Sequence, residues 1–148
     1  MSVVDLCNRS PVTIAADASL VEAAQLMRAR HVGFLVVTPD GGRGLPVGVL
    51  TDRDIVIEVV SEGVDPTHVC VADAMSREPL LVGADASAEQ VLAQMRAFGV
   101  RRAPVTDAAG MLVGVVALDD LLDWLAGAIG NAAAIVRHEQ HVERQLRA

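Results

Sequence analysis

A chain of 148 residues, 52% of them apolar, is long enough for one ordinary hydrophobic core and sets a single compact body as the starting expectation. Twelve basic against nineteen acidic side chains leave a formal charge of −7, which excludes nucleic acid from the expected partners, because backbone binding needs a clustered positive surface. No apolar run approaches the roughly 20 residues of a bilayer span. The opening MSVVDLCNRS has no basic segment followed by an apolar one, so the expectation is a soluble cytoplasmic protein with no membrane partner. Every basic residue is Arg, which reads as a compositional bias of a GC-rich genome and not as a function.

The chain repeats itself. Shifted by 68 positions, Asp5 falls on Asp73, Arg9 on Arg77, Pro11 on Pro79, and the ADAS of 16–19 on the ADAS of 84–87. Beyond the loop PDGGRGLP the shift is 66, and GVLTDRDIV at 48–56 falls on GVVALDDLL at 114–122. Two copies of one unit of about 60 residues follow, and function must be read per copy.

In chain order, PVTI at 11–14 reads as a strand, and Ser19 is placed to cap a helix whose Leu20, Ala23, Ala24 and Met27 form one apolar stripe. FLVVT at 34–38, a turn at Asp40-Gly41-Gly42 and VGVLT at 47–51 read as a hairpin, followed by a helix carrying Ile55, Val56, Val59 and Val60. The second copy matches: PLLV at 79–82, a helix after Ser87 with Val91, Leu92, Met95 and Phe98, a hairpin turning at Ala109-Gly110, and a helix carrying Leu121, Leu122 and Leu125. Each unit is therefore β-α-β-β-α. At this size neither buries its helix faces alone, so the two are expected to pack as one body.

The expected boundaries are 1–61 and 71–128 for the two repeats, with 62–70 as a linker containing Gly63 and Pro66. Gly130-Asn131 reads as a helix stop followed by a new N-cap, which makes 129–148 a separate C-terminal helix. Its thin stripe of Ile135, Val142 and Leu146 either caps the domain or pairs with another chain.

Thr51-Asp52-Arg53-Asp54 stands where a strand ends and a helix begins. One reading is a capping box, contributing about 1 kcal/mol to the helix. The other is a ligand site: the hydroxyl and Arg suit a phosphate, and the carboxylate suits the two hydroxyls of a ribose. Local sequence alone leaves both readings open and favours the first.

The tandem β-α-β-β-α unit ending in Gly-apolar-apolar-Thr-x-x-Asp-apolar resembles the cystathionine-β-synthase (CBS) domain family. The resemblance covers residues 3 to about 126, including VRRAPVTD, GVLTDRDIV and GVVALDDLL. It implies a mixed α/β (α+β) fold in which two repeats form a pseudo-twofold pair, the Bateman module. It also implies a regulatory, non-enzymatic function: binding of AMP, ADP, ATP or S-adenosylmethionine, with no cofactor required. Carried over by position, the first site uses Thr13, Ile14, Val32, Gly33, Thr51, Arg53 and Asp54, with Arg102 reaching across from the second repeat. The second uses Leu81, Val82, Val100, Arg101 and Asp120, but Ala117 replaces the Thr, Phe34 stands where Arg102 stands, and Asp119 replaces Arg53. Such a site has given up phosphate, so one phosphate-binding site per chain is expected. The resemblance further implies a homodimer and, with no effector domain on the chain, a separate effector protein. The alternative is a structural adaptor dimer that binds no nucleotide.

Other candidates are weaker. Cys7 and Cys70 are too few and too far apart for a zinc ribbon or a CxxC pair, and read as small buried apolar residues with a redox role as a minor addition. His138 and His141 have a metal-capable spacing but read as part of a solvated face, and Trp124 reads as a packing residue. No P-loop, GxGxxG or nucleophile elbow is present.

Overall fold

A computed structural model describes all residues, Met1–Ala148. The first repeat runs β1 (Thr13–Ala15), α1 (Leu20–Arg30), β2 (Phe34–Thr38), β3 (Gly48–Thr51) and α2 (Asp52–Ile55), the last continuing as a wider π-helical turn over Val56–Val60. The second repeat opens with a short helix α3 (Val71–Ala74) and a two-residue strand β4 (Ser76–Arg77). It continues with β5 (Val82–Gly83), α4 (Ala88–Phe98), β6 (Arg102–Thr106), β7 (Leu112–Ala117) and α5 (Leu118–Arg147). The expected β-α-β-β-α order is thus present twice, in a mixed α/β fold.

Two sheets result, one in the order β1-β2-β3-β4 and one in the order β5-β6-β7. In each, the first strand is parallel to the second and the hairpin is antiparallel. The helices start where the sequence places them. Ser19 Oγ accepts the Glu22 N–H at 3.1 Å while the Glu22 carboxylate accepts the Ser19 N–H at 2.7 Å, and Ser87 with Gln90 repeats the arrangement. Leu20, Ala23 and Met27 are buried in one core, and Val91 and Met95 in the other. Ala24 and Phe98, expected in the same stripes, are exposed.

Each core is closed by the other repeat's leading segment. Val3 packs with Val82, Val91 and Val116, whereas Val71 and Ala74 pack with Leu20, Leu35 and Leu50. The backbone follows suit: the Val3 N–H bonds Ala86 O at 2.8 Å, and the Val71 N–H bonds Ala18 O at 2.8 Å. Ser76–Arg77 adds to the edge of β3 as Asn8 bridges to Val115 on β7. Two glycines record this crossing. A Cβ on Gly48 would lie 2.5 Å from Met75 Sδ and 2.9 Å from Ser76 O, and one on Gly114 would lie 2.6 Å from Cys7 Sγ and 2.7 Å from Asn8 O.

The last helix differs from expectation. Gly130 and Asn131 do not stop it, and α5 runs unbroken through 30 residues. A glycine ends a helix when its carbonyls find a partner through a left-handed turn; inside a helix it costs only about 1 kcal/mol, which the flanking alanines and isoleucines tolerate.

Candidate functional site

In each repeat the head of the second strand lies beside the end of the third. Phe34 pairs with Thr51, and Arg102 pairs with Ala117. The chain then turns into a helix whose first amide is held by the residue before the second strand: the Asp52 N–H bonds Gly33 O at 3.1 Å, and the Leu118 N–H bonds Arg101 O at 2.8 Å. Gly33 allows this closeness in the first repeat, since a Cβ there would sit 2.6 Å from an Asp52 carboxylate oxygen.

Thr51 and Asp54 form a reciprocal pair. The Asp54 carboxylate accepts the Thr51 N–H at 2.8 Å, and Thr51 Oγ accepts the Asp54 N–H at 3.1 Å. In the second repeat Asp120 accepts the Ala117 N–H at 2.8 Å, with no hydroxyl to complete the pair.

Two clefts open at these helix starts. The first, of about 480 Å³, brings Thr51, Arg53 and Asp54 together with Gly33, Val100, Arg101 and Arg102. Arg77, Glu78, Pro79, Leu80 and Phe98 also line it, as does Phe34. Four arginines therefore line this cleft together with Asp52, Asp54 and Glu78, the Arg77 guanidinium donating to Ala72 O at 3.1 Å and that of Arg101 lying 3.7 Å from the Asp119 carboxylate. Glu78 holds a left-handed backbone, φ 52°, in the segment that borders it. The second cleft, of about 280 Å³, brings Asp120 and Ala117 together with Pro11, Val12, His31, Val32, Gly33, Phe34 and Arg102.

The two clefts gather some of the residues assigned by position and not others. Thr13 and Ile14 line neither cleft: Thr13 donates its hydroxyl to Gly41 O, and Ile14 is buried in the first core. Leu81 and Val82 also line neither, and Val82 is fully buried. The reason is register. Thr13 pairs with Val36, two residues inside the end at which Phe34 meets Thr51, so the residues just before the strand reach the cleft instead. Val32 joins Asp120, and Val100 and Arg101 join Thr51, because the pseudo-twofold sets the strand-entry segments of one repeat opposite the helix start of the other. Asp119 does not line the second cleft; it lies 3.7 Å from Arg101 in an exposed ion pair. Sequence reasoning missed Arg77, Glu78 and His31. The shared Arg9/Arg77 alignment was the available signal for the first of these.

Elsewhere, no cluster of three or more His, Cys, Asp or Glu side chains is arranged to hold a metal ion, and no helix is long and apolar enough to cross a membrane. Burial pushes the Cys7 thiol above its ordinary range; for Cys70 desolvation does the same, reinforced by Asp73.

The fold defines a tandem-repeat module with a cleft at the helix start of each repeat. The CBS domain family model matches residues 3–61 and 71–127, and the chain belongs to that family. Hypoxic response protein 1 of Mycobacterium tuberculosis is 36% identical over 118 residues, covering 79% of this chain and 80% of that protein. The uncharacterized protein MK0525 of Methanopyrus kandleri is 34% identical over 122 residues, 82% of this chain, which spans 61% of that protein's length. Among solved structures, the CBS domain protein TA0289 of Thermoplasma acidophilum superposes with a TM-score of 0.75 at 28% identity, covering 84% of this chain and 68% of that one. The CBS domain pair of MJ0100, crystallised with 5′-methylthioadenosine and S-adenosyl-L-methionine, shares the fold with a TM-score of 0.73 at 22% identity, over 84% of this chain and 99% of that one.

Proposed function

We propose that the chain is a non-enzymatic regulatory sensor of adenosine nucleotides in the cytoplasm, acting as a homodimer on a separate effector protein. The observation that carries this reading is the convergence of Thr51, Asp54, Arg77, Arg101 and Arg102 on one cleft. A carboxylate there suits the vicinal hydroxyls of a ribose, and a hydroxyl flanked by guanidinium groups suits phosphate. Phe98, Val100, Pro79 and Leu80 offer an apolar wall for the base. AMP, ADP and ATP fit this composition, and S-adenosylmethionine fits less well because its tail carries positive charge.

The second cleft keeps Asp120 and an apolar wall but has Ala117 where the first has the Thr51 hydroxyl, with Ser10 and Arg102 at its border. An adenosine without phosphate is its best match, so one phosphate-dependent site per chain follows. Ligand preference for one conformation then sets how far the module can shift its partner's affinity.

The test is calorimetric titration with AMP, ADP, ATP and S-adenosylmethionine. One phosphate-dependent site per chain, lost in a Thr51→Ala, Arg102→Ala double variant that still folds, supports the reading. One observation favours an adaptor that binds no nucleotide: Thr51 and Asp54 already satisfy each other as a helix cap. Absence of heat and of thermal stabilisation with every ligand would establish that second reading.

A further inference from the structure

Only two residues other than glycine hold a left-handed backbone, His31 at φ 54° and Glu78 at φ 52°. Elsewhere the chain meets that conformation with Gly41, Gly63, Gly99 and Gly110, which lack the Cβ that crowds the backbone there. The two exceptions divide between the clefts: Glu78 lines the first and His31 the second.

The repeat sharpens the contrast. His31 and Gly99 are equivalent by the shift of 68 and cap α1 and α4 in the same left-handed turn, so the fold accepts glycine at this point. Glu78 falls on Ser10, which has no positive φ, so its strained backbone belongs to the first cleft alone. A side chain kept against the preference of its own backbone, at the wall of a cleft, points to a use for that side chain.

Placement and chemistry assign the use. Glu78 immediately precedes Pro79 and Leu80, and His31 immediately precedes Val32, apolar wall segments of their clefts. With Asp54 matched to the ribose and Thr51 to phosphate, Glu78 is the polar group beside the wall suited to the base. Four arginines line the same cleft, yet Glu78 enters no ion pair. A carboxylate only accepts hydrogen bonds. It matches the 6-amino group of adenine and opposes the 6-oxo group of hypoxanthine, itself an acceptor. A neutral imidazole carries one donor and one acceptor, so His31 offers a partner to either group. We propose that Glu78 and His31 read the base of the ligand, Glu78 restricting the first cleft to 6-aminopurine nucleotides and His31 holding the base in the second without that restriction. The inference rests on the nucleotide reading of the clefts and names what selects the base.

The test is calorimetric titration of the full-length chain with AMP and inosine 5′-monophosphate (IMP), with adenosine and inosine titrated in an Asp54→Ala background to report on the second cleft. Circular dichroism confirms folding and gives melting temperatures. Wild type should bind AMP roughly tenfold or more tighter than IMP, the worth of one charge-assisted hydrogen bond. Adenosine and inosine should bind the second cleft with similar affinity. Glu78→Gln, whose amide can donate to a 6-oxo group, should cut the AMP preference to roughly threefold or less. Glu78→Gly and His31→Gly relieve the left-handed backbone, so each should melt a few degrees higher. The first should still lose the AMP preference, and the second should lose roughly tenfold in adenosine affinity. An unchanged AMP preference in Glu78→Gln overturns the role of Glu78, and unchanged adenosine affinity in His31→Gly overturns that of His31. A glycine variant that melts lower shows that the side chain serves the fold and overturns its assignment to the ligand. AMP bound without preference over IMP by wild type removes the base selection and leaves the nucleotide reading standing, whereas a wild type that binds no nucleotide overturns both.

Discussion

Thr51 and Asp54 hold each other through two hydrogen bonds, one from each backbone amide to the other's side chain. Capping and ligand binding are compatible in this geometry. The Thr51 hydroxyl accepts from Asp54 yet retains its own proton to donate, and only one Asp54 oxygen is engaged. Thr51→Ala should therefore lower the unfolding free energy by about 1 kcal/mol as well as weaken phosphate binding, whereas Thr51→Ser should do neither. Ala117→Thr supplies the missing acceptor in the second repeat and should stabilise by up to about 1 kcal/mol. Urea denaturation of the three variants measures the stability changes, and calorimetric titration the phosphate binding.

Arg102 borders both clefts. Arg102→Ala should reduce affinity at both, by roughly tenfold or more at the phosphate-dependent one, where a charged hydrogen bond is lost. Asp54→Ala should silence the first cleft alone, and Asp120→Ala the second alone. Calorimetric stoichiometry separates the three, and an Arg102→Ala protein with unaltered affinity would remove this residue from the site.

Gly114 lies beneath the first leader, and Gly48 beneath the second. Because backbone oxygens stand under 3 Å from the added Cβ, Gly114→Ala and Gly48→Ala should each cost about 1–3 kcal/mol. Thermal melts of the two variants should fall together. A loss confined to one would mean that the two crossings differ in tightness.

Gly130 is the opposite case, since a Cβ there meets nothing within 4 Å. Gly130→Ala should raise helicity by circular dichroism and stabilise α5 by up to about 1 kcal/mol. Unchanged helicity would place a natural break at this residue.

The Cys7 thiol, pushed up mainly by burial, should alkylate slowly at neutral pH and react appreciably only above its ordinary value of 9.0. Its folded pKa exceeds the unfolded one, so its contribution to stability is complete below the unfolded pKa and is lost as pH rises through the folded pKa. Iodoacetamide rates against pH in a Cys70→Ser background test this. Rapid labelling at pH 7 would contradict the burial.

The repeat, the strand and helix order and the Ser19 and Ser87 caps were all legible, because periodicity and capping chemistry are local. The residues of the clefts were only partly so. Thr51, Arg53, Asp54, Arg102 and Asp120 are marked by their own motifs, but whether Val32 faces Asp54 or Asp120 depends on how two sheets meet, which no local pattern encodes. A shift of two residues in strand register separates Thr13 from Pro11, which explains why the first was chosen and the second lines a cleft. The Gly130-Asn131 stop failed for a different reason: its cue is statistical, and an otherwise strong helical sequence carried through it.

The exchange of leaders between repeats also sets how the chain must fold. Val3 reaches its place only when Val82, Val116 and Leu121 exist, a separation of more than half the chain. The first core in turn waits for Val71 and Ala74. Closing such long loops before any contact repays them raises the contact order and slows folding. The first core is therefore complete in sequence by Ala74, whereas the second closes only when Val3 is brought back from the far end of the chain.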